Sequence, residues 1–351
     1  MRKSCIACLC LLFILSGAEE GYAQFNRSGI KSSNKRIATY RGNKARFGKA
    51  RIYNAVGFSL NALNYYGDLS PSPNKISTDI SFTRPGFALS YARRMGPRLT
   101  IQAQFMFGTI SGSDSESADK NDPSNGIFRY KRNLSFRNQI KELTVVAVID
   151  LFENQSTYMS RVKWTPYVYL GLAGFLHNPQ AKAPATDLQG KPLSEAGSWV
   201  DLRPLGTEGQ NIALNSTDVN FGNTPYSLLQ VAVPFGLGAR FRVSEVLDLS
   251  FDIGFRYTFT DYLDDVSKNY VDISKLSPLA AAMSYRTNEL YNGNPPNPQP
   301  SGIPGVSVEA GYGSEYKTNM RGGQKQNDVY MVTSIKLSYI ISPNYHQAKF
   351  R

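Results

Sequence analysis

The sequence has almost no cysteine. Its three cysteines, Cys5, Cys8 and Cys10, all lie within the first ten residues. The remainder can form no disulfide and no thiolate metal site. Histidine is nearly as scarce, with only His177 and His346. Two such distant histidines give little basis for metal ligation, and no G-x-S-x-G or comparable nucleophile motif accompanies either. After residue 23 no apolar run reaches about 18 residues, which excludes a helical membrane protein. Acidic residues are missing from 24–51, a stretch that carries nine Lys or Arg residues, from Arg27 to Arg51.

What is present begins with an export signal. Arg2 and Lys3 precede an apolar run, Ile6 to Leu15, and then Gly21-Tyr22-Ala23. That order predicts a secretory signal peptide over 1–23, with Gln24 as the mature start. Too little apolar sequence precedes Cys8 or Cys10 for a lipoprotein site. The net charge of +12 would suit nucleic acid. Export redirects it toward anionic lipid or acidic envelope proteins, so no nucleic-acid partner is expected. The basic 24–51 stretch reads either as a solvated periplasmic leader or as an arm that docks on an acidic partner.

From residue 52 onward the pattern has period two. In Leu247 to Phe259 the odd positions are Leu, Leu, Phe, Ile, Phe, Tyr and Phe, and the even ones are small or polar. Only a strand separates such a set onto two faces. Thirteen residues at about 3.3 Å each, tilted about 45°, cover a bilayer core of about 30 Å. Eight long segments follow this reading: 52–66, 85–95, 98–110, 138–152, 163–177, 226–243, 246–260 and 328–341. A soluble strand is usually about five or six residues long. Pro166 and Pro234 lack a ladder donor and are expected at a bulge or a strand start.

The links alternate between long and short. Tight connections at Gly96-Pro97 and Ser244-Glu245, and a short one at 153–162, separate long loops at 111–137, 178–225 and 261–327. The fold class is therefore all-β: a transmembrane, antiparallel, up-and-down barrel of about eight strands over 52–341. It has short periplasmic turns, long extracellular loops and a periplasmic tail at 342–351. A soluble barrel or sandwich has no reason to sort its loops in this way. A count of ten strands stays open if a loop such as 261–327 contains an extra hairpin.

Eight strands enclose an interior that side chains fill. The inward set includes Gln102, Gln104, Arg240, Asp248, Asp252, Arg256 and Lys336, and opposite charges there should pair into a polar plug. Passage through a narrow pore, or a ligand pocket among the outer loops, is the alternative. No catalytic residue and no cofactor is assigned. His177, at the outer end of the fifth strand, is the one place where an acyl-transfer base could sit. The run Phe259-Thr260-Asp261-Tyr262-Leu263-Asp264-Asp265 offers three carboxylates. They could bind calcium, without EF-hand spacing, or form a loop stem that bonds its own backbone.

Three stretches carry a resemblance. Asn64-Tyr65-Tyr66-Gly67-Asp68-Leu69 ends the first strand, the Asp261–Asp265 run ends the seventh, and Arg321-Gly322-Gly323-Gln324-Lys325-Gln326-Asn327-Asp328-Val329-Tyr330 introduces the last. Together they resemble the PorG-like outer-membrane barrels of Bacteroidota. Where that family commonly has Trp after Asn-Asp, this chain has Val329 and then Tyr330. The resemblance implies a place in the outer membrane among outer-membrane lipid. It also implies contact with a periplasmic ring lipoprotein and other subunits of the type IX secretion system, a machine linked in gliding bacteria to motility. It marks Tyr65, Gly67, Asp68, Asp261, Tyr262, Asp264 and Asp265 as structural or partner-contact positions.

Overall fold

The computed structural model describes residues 51–69, 82–323 and 326–341. The expected signal peptide, the basic stretch up to residue 50 and the tail 342–351 lie outside the described residues.

Eight long strands form the body: β1 Asn54–Tyr66, β2 Arg84–Arg94, β3 Leu99–Ser113, β4 Ser135–Asp150, β5 Trp164–Leu176, β6 Leu229–Arg242, β7 Leu247–Thr258 and β8 Val329–Ile341. Each pairs antiparallel with its neighbours in sequence. β8 pairs with β1 from Asn54↔Ile341 to Tyr66↔Val329, which closes the ring. Every segment read from period two is therefore a barrel strand. β3 and β4 run further than expected, into the 111–137 loop, and the two short helices Asp114–Ser117 and Gly126–Arg132 lie between them.

The loop 261–327 does contain an extra hairpin, Pro298–Pro300 with Ser307–Glu309, but it forms a separate sheet; a second hairpin, Pro179–Lys182 with Trp199–Asp201 in the 178–225 loop, pairs with β4 and extends the sheet to ten strands outside the closed ring of eight. Pro234 makes no bulge. The β5–β6 ladder skips Gly171 and Leu172 between Leu170↔Phe235 and Ala173↔Ala232, and the register is the same on both sides. The missing N–H of proline breaks the ladder locally without inserting a residue. Pro166 is near the start of β5, as expected.

Apolar side chains cover the outside. Leu60, Leu89, Leu143, Leu172, Leu229 and Leu237 are each exposed, Leu172 at 72%. A face so apolar over the full strand length is buried only if lipid covers it. Aromatics mark both rims: Phe152 packs edge-on to Trp164 at 5.7 Å near the turns, and Tyr257 edge-on to Phe259 at 5.7 Å near the loops.

The interior is filled in two ways. Toward the short turns it is polar. The Lys336 Nζ donates to Gln102 at 3.0 Å and lies 3.9 Å from Asp252, which accepts from the Tyr167 hydroxyl at 3.1 Å. Midway along the lumen, where Glu142 is paired in the sheet with Met106 and Phe175, Arg256 pairs with Glu142 at 3.5 Å, and Glu142 also accepts from Tyr330 and Thr144. Toward the long loops it is apolar, with Leu63, Met106, Ile110, Phe136, Ile140 and Phe175 buried together. The polar plug expected from sequence thus occupies only part of the lumen. The reason is the loop end: folded loops cover it, so inward side chains there meet protein and not water. The lumen voids found between these side chains are only about 40 and 20 Å³.

The mouth at the turn end is also closed. The link 151–163 folds across it. The Arg161 guanidinium donates to the Ser244 and Glu245 carbonyls and to Asp248 at 2.6 Å. Arg94 donates to Asp150 and to the Pro97 and Asn154 carbonyls. The Tyr53 ring lies 5.9 Å from the Arg94 guanidinium and 6.0 Å from that of Arg161.

Candidate functional site

The residues singled out by sequence converge where the barrel meets its long loops. Tyr65, the penultimate residue of β1, places its hydroxyl 2.8 Å from Asp264 and 2.6 Å from Asp328. One phenol has one proton to donate, so the close approach of two carboxyls favours a proton shared among them. Burial, followed by the charge of Asp328 and then that of Asp68, pushes Asp264 well above the usual carboxylate range. Asp328 is raised by burial and by the charge of Asp261. The remaining acceptors are satisfied by backbone: Leu263 N–H donates to Asp328 at 2.9 Å and Val266 N–H to Asp264 at 3.0 Å. Gly323 N–H donates to Asp68 at 2.6 Å. Gly67 is glycine for a steric reason, because a Cβ there would overlap the Tyr65 hydroxyl and the Asp328 carboxylate.

Asp265 faces elsewhere. It sits at φ +67 and accepts from Thr207 at 2.5 Å and from Tyr226 at 2.7 Å. Its pKa is pushed up to about 6, chiefly by burial and against the lowering effect of Arg321. Arg321 donates to Glu208 at 3.1 Å and to the Asp265 carbonyl, and its guanidinium lies 3.7 Å from the Asp265 carboxylate. Glu208 in turn accepts from the backbone of Ser267 and Lys268. Asp261 is half-buried, and burial raises it to about 9. Tyr262 stacks on Tyr226 at 4.7 Å. The three carboxylates of the run therefore diverge. Among the described residues no group of three or more His, Cys, Asp or Glu side chains is placed to hold a metal.

Sequence reading missed Glu208, Arg321 as the cation of this cluster, and the pair Asp114–Arg132. Arg132 donates to both Asp114 oxygens and to the Asp68 and Arg321 carbonyls, pinning the loop after β3 to the loop before β8. Nothing in the loops' composition marks these partners, since no periodicity orders them.

His177 lies just past β5, 2% exposed, with Nε2 3.1 Å from the Ser227 carbonyl and Nδ1 3.4 Å from the Asn138 amide. Its ring stacks on Tyr226 at 6.0 Å. Burial is the main cause that lowers its pKa to about 4. Because the folded pKa lies below the unfolded value, stability is intact above about pH 6.5. It then falls as pH drops toward 4, by about 1.4 kcal/mol per unit for this group. Raised carboxylates nearby act in the opposite sense, so the effect is read as a difference. We expect His177→Gln to lose less stability than the native chain between pH 7 and pH 4.5 in chemical denaturation. Equal losses would refute this.

These features define the class: a closed, membrane-spanning, antiparallel β-barrel of the outer-membrane type, with a folded cap over its loop end. The profile of a family described as a domain of unknown function (DUF6089) matches residues 44–189. No curated protein matches. Among solved structures, the Neisserial surface protein A is similar with 10% identity, covering 83% of this chain and 98% of its own, at a TM-score of 0.33. A major outer-membrane protein of Thermus thermophilus is similar with 12% identity, covering 82% and 99%, at 0.36. OprG of Pseudomonas aeruginosa shows 9% identity, covering 84% and 97%, at 0.33. At such values the fold rests on the strand pairing itself.

Proposed function

We propose that this protein is an outer-membrane barrel that anchors a protein secretion machine, with both termini and the short turns in the periplasm. One observation carries the reading: the lumen and the turn-end mouth are both sealed by buried ion pairs, Arg256–Glu142 within and Arg94–Asp150 and Arg161–Asp248 at the mouth. Breaking such a pair leaves an unpaired buried charge, at about 3–5 kcal/mol each, so opening a pore is costly. A barrel that passes nothing serves by what it holds. The chemistry is attachment and not catalysis. The signal peptide, the basic 24–51 stretch and the tail 342–351 belong to this reading as export signal and periplasmic contact segments. The resemblance in the Tyr65–Asp68, Asp261–Asp265 and Arg321–Tyr330 stretches supplies the machine, type IX secretion, and the partners, a periplasmic ring lipoprotein and further subunits.

Two measurements test it. Reconstituted in a planar bilayer, the barrel is expected to show no stable conductance steps; steady steps would support a porin-like role instead. Purified from mildly solubilised membranes, it is expected to bring periplasmic subunits with it, and a deletion strain to lose cargo secretion. Recovery of the barrel alone, with secretion intact, would overturn the assignment.

A further inference from the structure

The lipid-facing side of the barrel is not uniform at the turn end. On β2 the outward residues run Phe87, Leu89, Tyr91 and then Arg93, all exposed. The turn that follows carries a second exposed cation, Arg98. Lys163 is a third, exposed between Val162 and Trp164 where β5 begins. On the other half of the ring the outward turn-end positions are Leu247 and Leu249 of β7, Tyr339 and Ile341 of β8, and Asn54 and Val56 of β1. None of these is charged.

The remaining described cations of this end are engaged. Arg51 donates to Gln155 and Arg242 to the Arg161 carbonyl, while Arg94 and Arg240 face Asp150, and Arg161 faces Asp248. Arg93, Arg98 and Lys163 differ, because none of their side chains has an acidic partner among the described residues. The exposed acids nearby, Glu153 and Glu245, pair with none of the three.

The sheet gathers these cations into one sector. The Asp150 N–H donates to the Arg98 carbonyl and the Leu151 N–H to the Pro166 carbonyl, so the β2–β3 turn, the end of β4 and the start of β5 are adjacent. Met95, Leu151, Phe152 and Trp164 lie in the same sector, each about half exposed. Unpaired cations at the edge of a lipid-covered apolar belt, beside an interfacial indole, have the chemistry of a phospholipid site. Acyl chains lie along the belt and the cations meet the phosphate. With no acid paired to them, these cations favour a headgroup of net negative charge over a zwitterionic one, whose ammonium they repel.

We propose that this sector, from β2 to β5, selects anionic phospholipid from the leaflet that meets the turns, with Arg93, Arg98 and Lys163 on its headgroup. In the orientation given above, this is the periplasmic leaflet. The selection itself depends on neither that orientation nor the anchoring role.

The chain has two tryptophans, Trp164 in this sector and Trp199 in the 178–225 loop. Trp199→Phe keeps a ring against Arg137 and leaves Trp164 as a local reporter. The full mature chain with this substitution is placed in vesicles of phosphatidylglycerol and phosphatidylcholine. One lipid at a time is brominated high on its acyl chains, so that it quenches the indole on contact. Phosphatidylglycerol is expected to be enriched about fivefold beside Trp164 relative to the bulk mixture, and about 0.5 M salt should largely abolish the enrichment. Arg98→Gln combined with Lys163→Gln should bring the ratio close to one, and Arg93→Gln should lower it in part. Lys141→Gln removes an exposed lipid-face cation from the loop end of β4 and should leave the ratio at Trp164 unchanged. Equal quenching by the two brominated lipids, or enrichment that survives the Arg98 and Lys163 substitutions, would overturn the proposal. Displacement of the lipid by inorganic phosphate at matched ionic strength would overturn it too, assigning the cations to a free anion. Retention of the heat-modifiable band confirms that each variant is folded.

Discussion

Replacing Arg321 with Met is expected to open the loop cap while leaving the barrel folded. The side chain is 2% exposed, and it is the cation for Glu208 and Asp265, both fully buried. Removing it strands two carboxylates in a dry environment, where loss of one partner costs about 3–5 kcal/mol. Asp265 answers first. It already titrates near 6 because of burial, and without Arg321 its pKa rises further, so it takes up a proton near neutral pH. Glu208 has a second duty, since it accepts from the backbone of Ser267 and Lys268 and shapes the start of the long loop before β8. Limited proteolysis with mass mapping should show new cuts in 178–225 and 261–323, and denaturing gels should still show the compact barrel band. A cap as protected as in the native chain would rule this out. Adding Glu208→Gln, which keeps the acceptor and removes one charge, should restore part of the protection.

The second large effect is at Gly254, which faces the lumen from β7. A Cβ there would overlap the Tyr169 hydroxyl, and the same ring lies across Gly236 on β6. Tyr169 neighbours the Arg256–Glu142 pair, so Gly254→Val displaces a ring and disturbs a buried ion pair together. Overpacking alone costs about 1–3 kcal/mol, before any loss at the pair. The variant should show a much lower denaturant midpoint or fail to give the folded band. Gly174 on β5 is the control. It faces outward, with nothing within 4 Å of an added Cβ, and Gly174→Val should change stability by no more than about 0.5 kcal/mol. Equal effects of the two substitutions would contradict the account.

Much of this fold was legible in advance, and the particular elements show why. β7 alternates from Leu247 to Thr258 because each outward residue must meet lipid and each inward one must fit a narrow lumen. Both constraints act residue by residue, so they leave a local trace. The tight turns leave one too: at 95–96 and 243–244 two successive N–H groups donate to one carbonyl, Leu99 and Leu247 respectively. Pro234 misled only in detail. Its missing donor was visible in the sequence, but not whether the chain would add a bulge or simply skip two pairs. The candidate site was legible in half. Tyr65, Gly67, Asp68 and Asp264 were singled out and do meet, whereas Glu208 and Arg132 sit in stretches without any period.

By itself, then, the sequence determined the strands, their order and the contrast between short and long links, since these follow from side-chain alternation and turn residues along one segment at a time. Only the tertiary structure decided which charge meets which. Tyr65 and Asp328 are 263 residues apart, and Arg132 and Arg321 are 189 apart, yet each pair is in direct hydrogen bonding. It also decided that the lumen turns apolar under the cap and that the link 151–163 seals the turn end. Each of these depends on burying charges only where a partner waits, a condition set by what lies across the space and not along the chain.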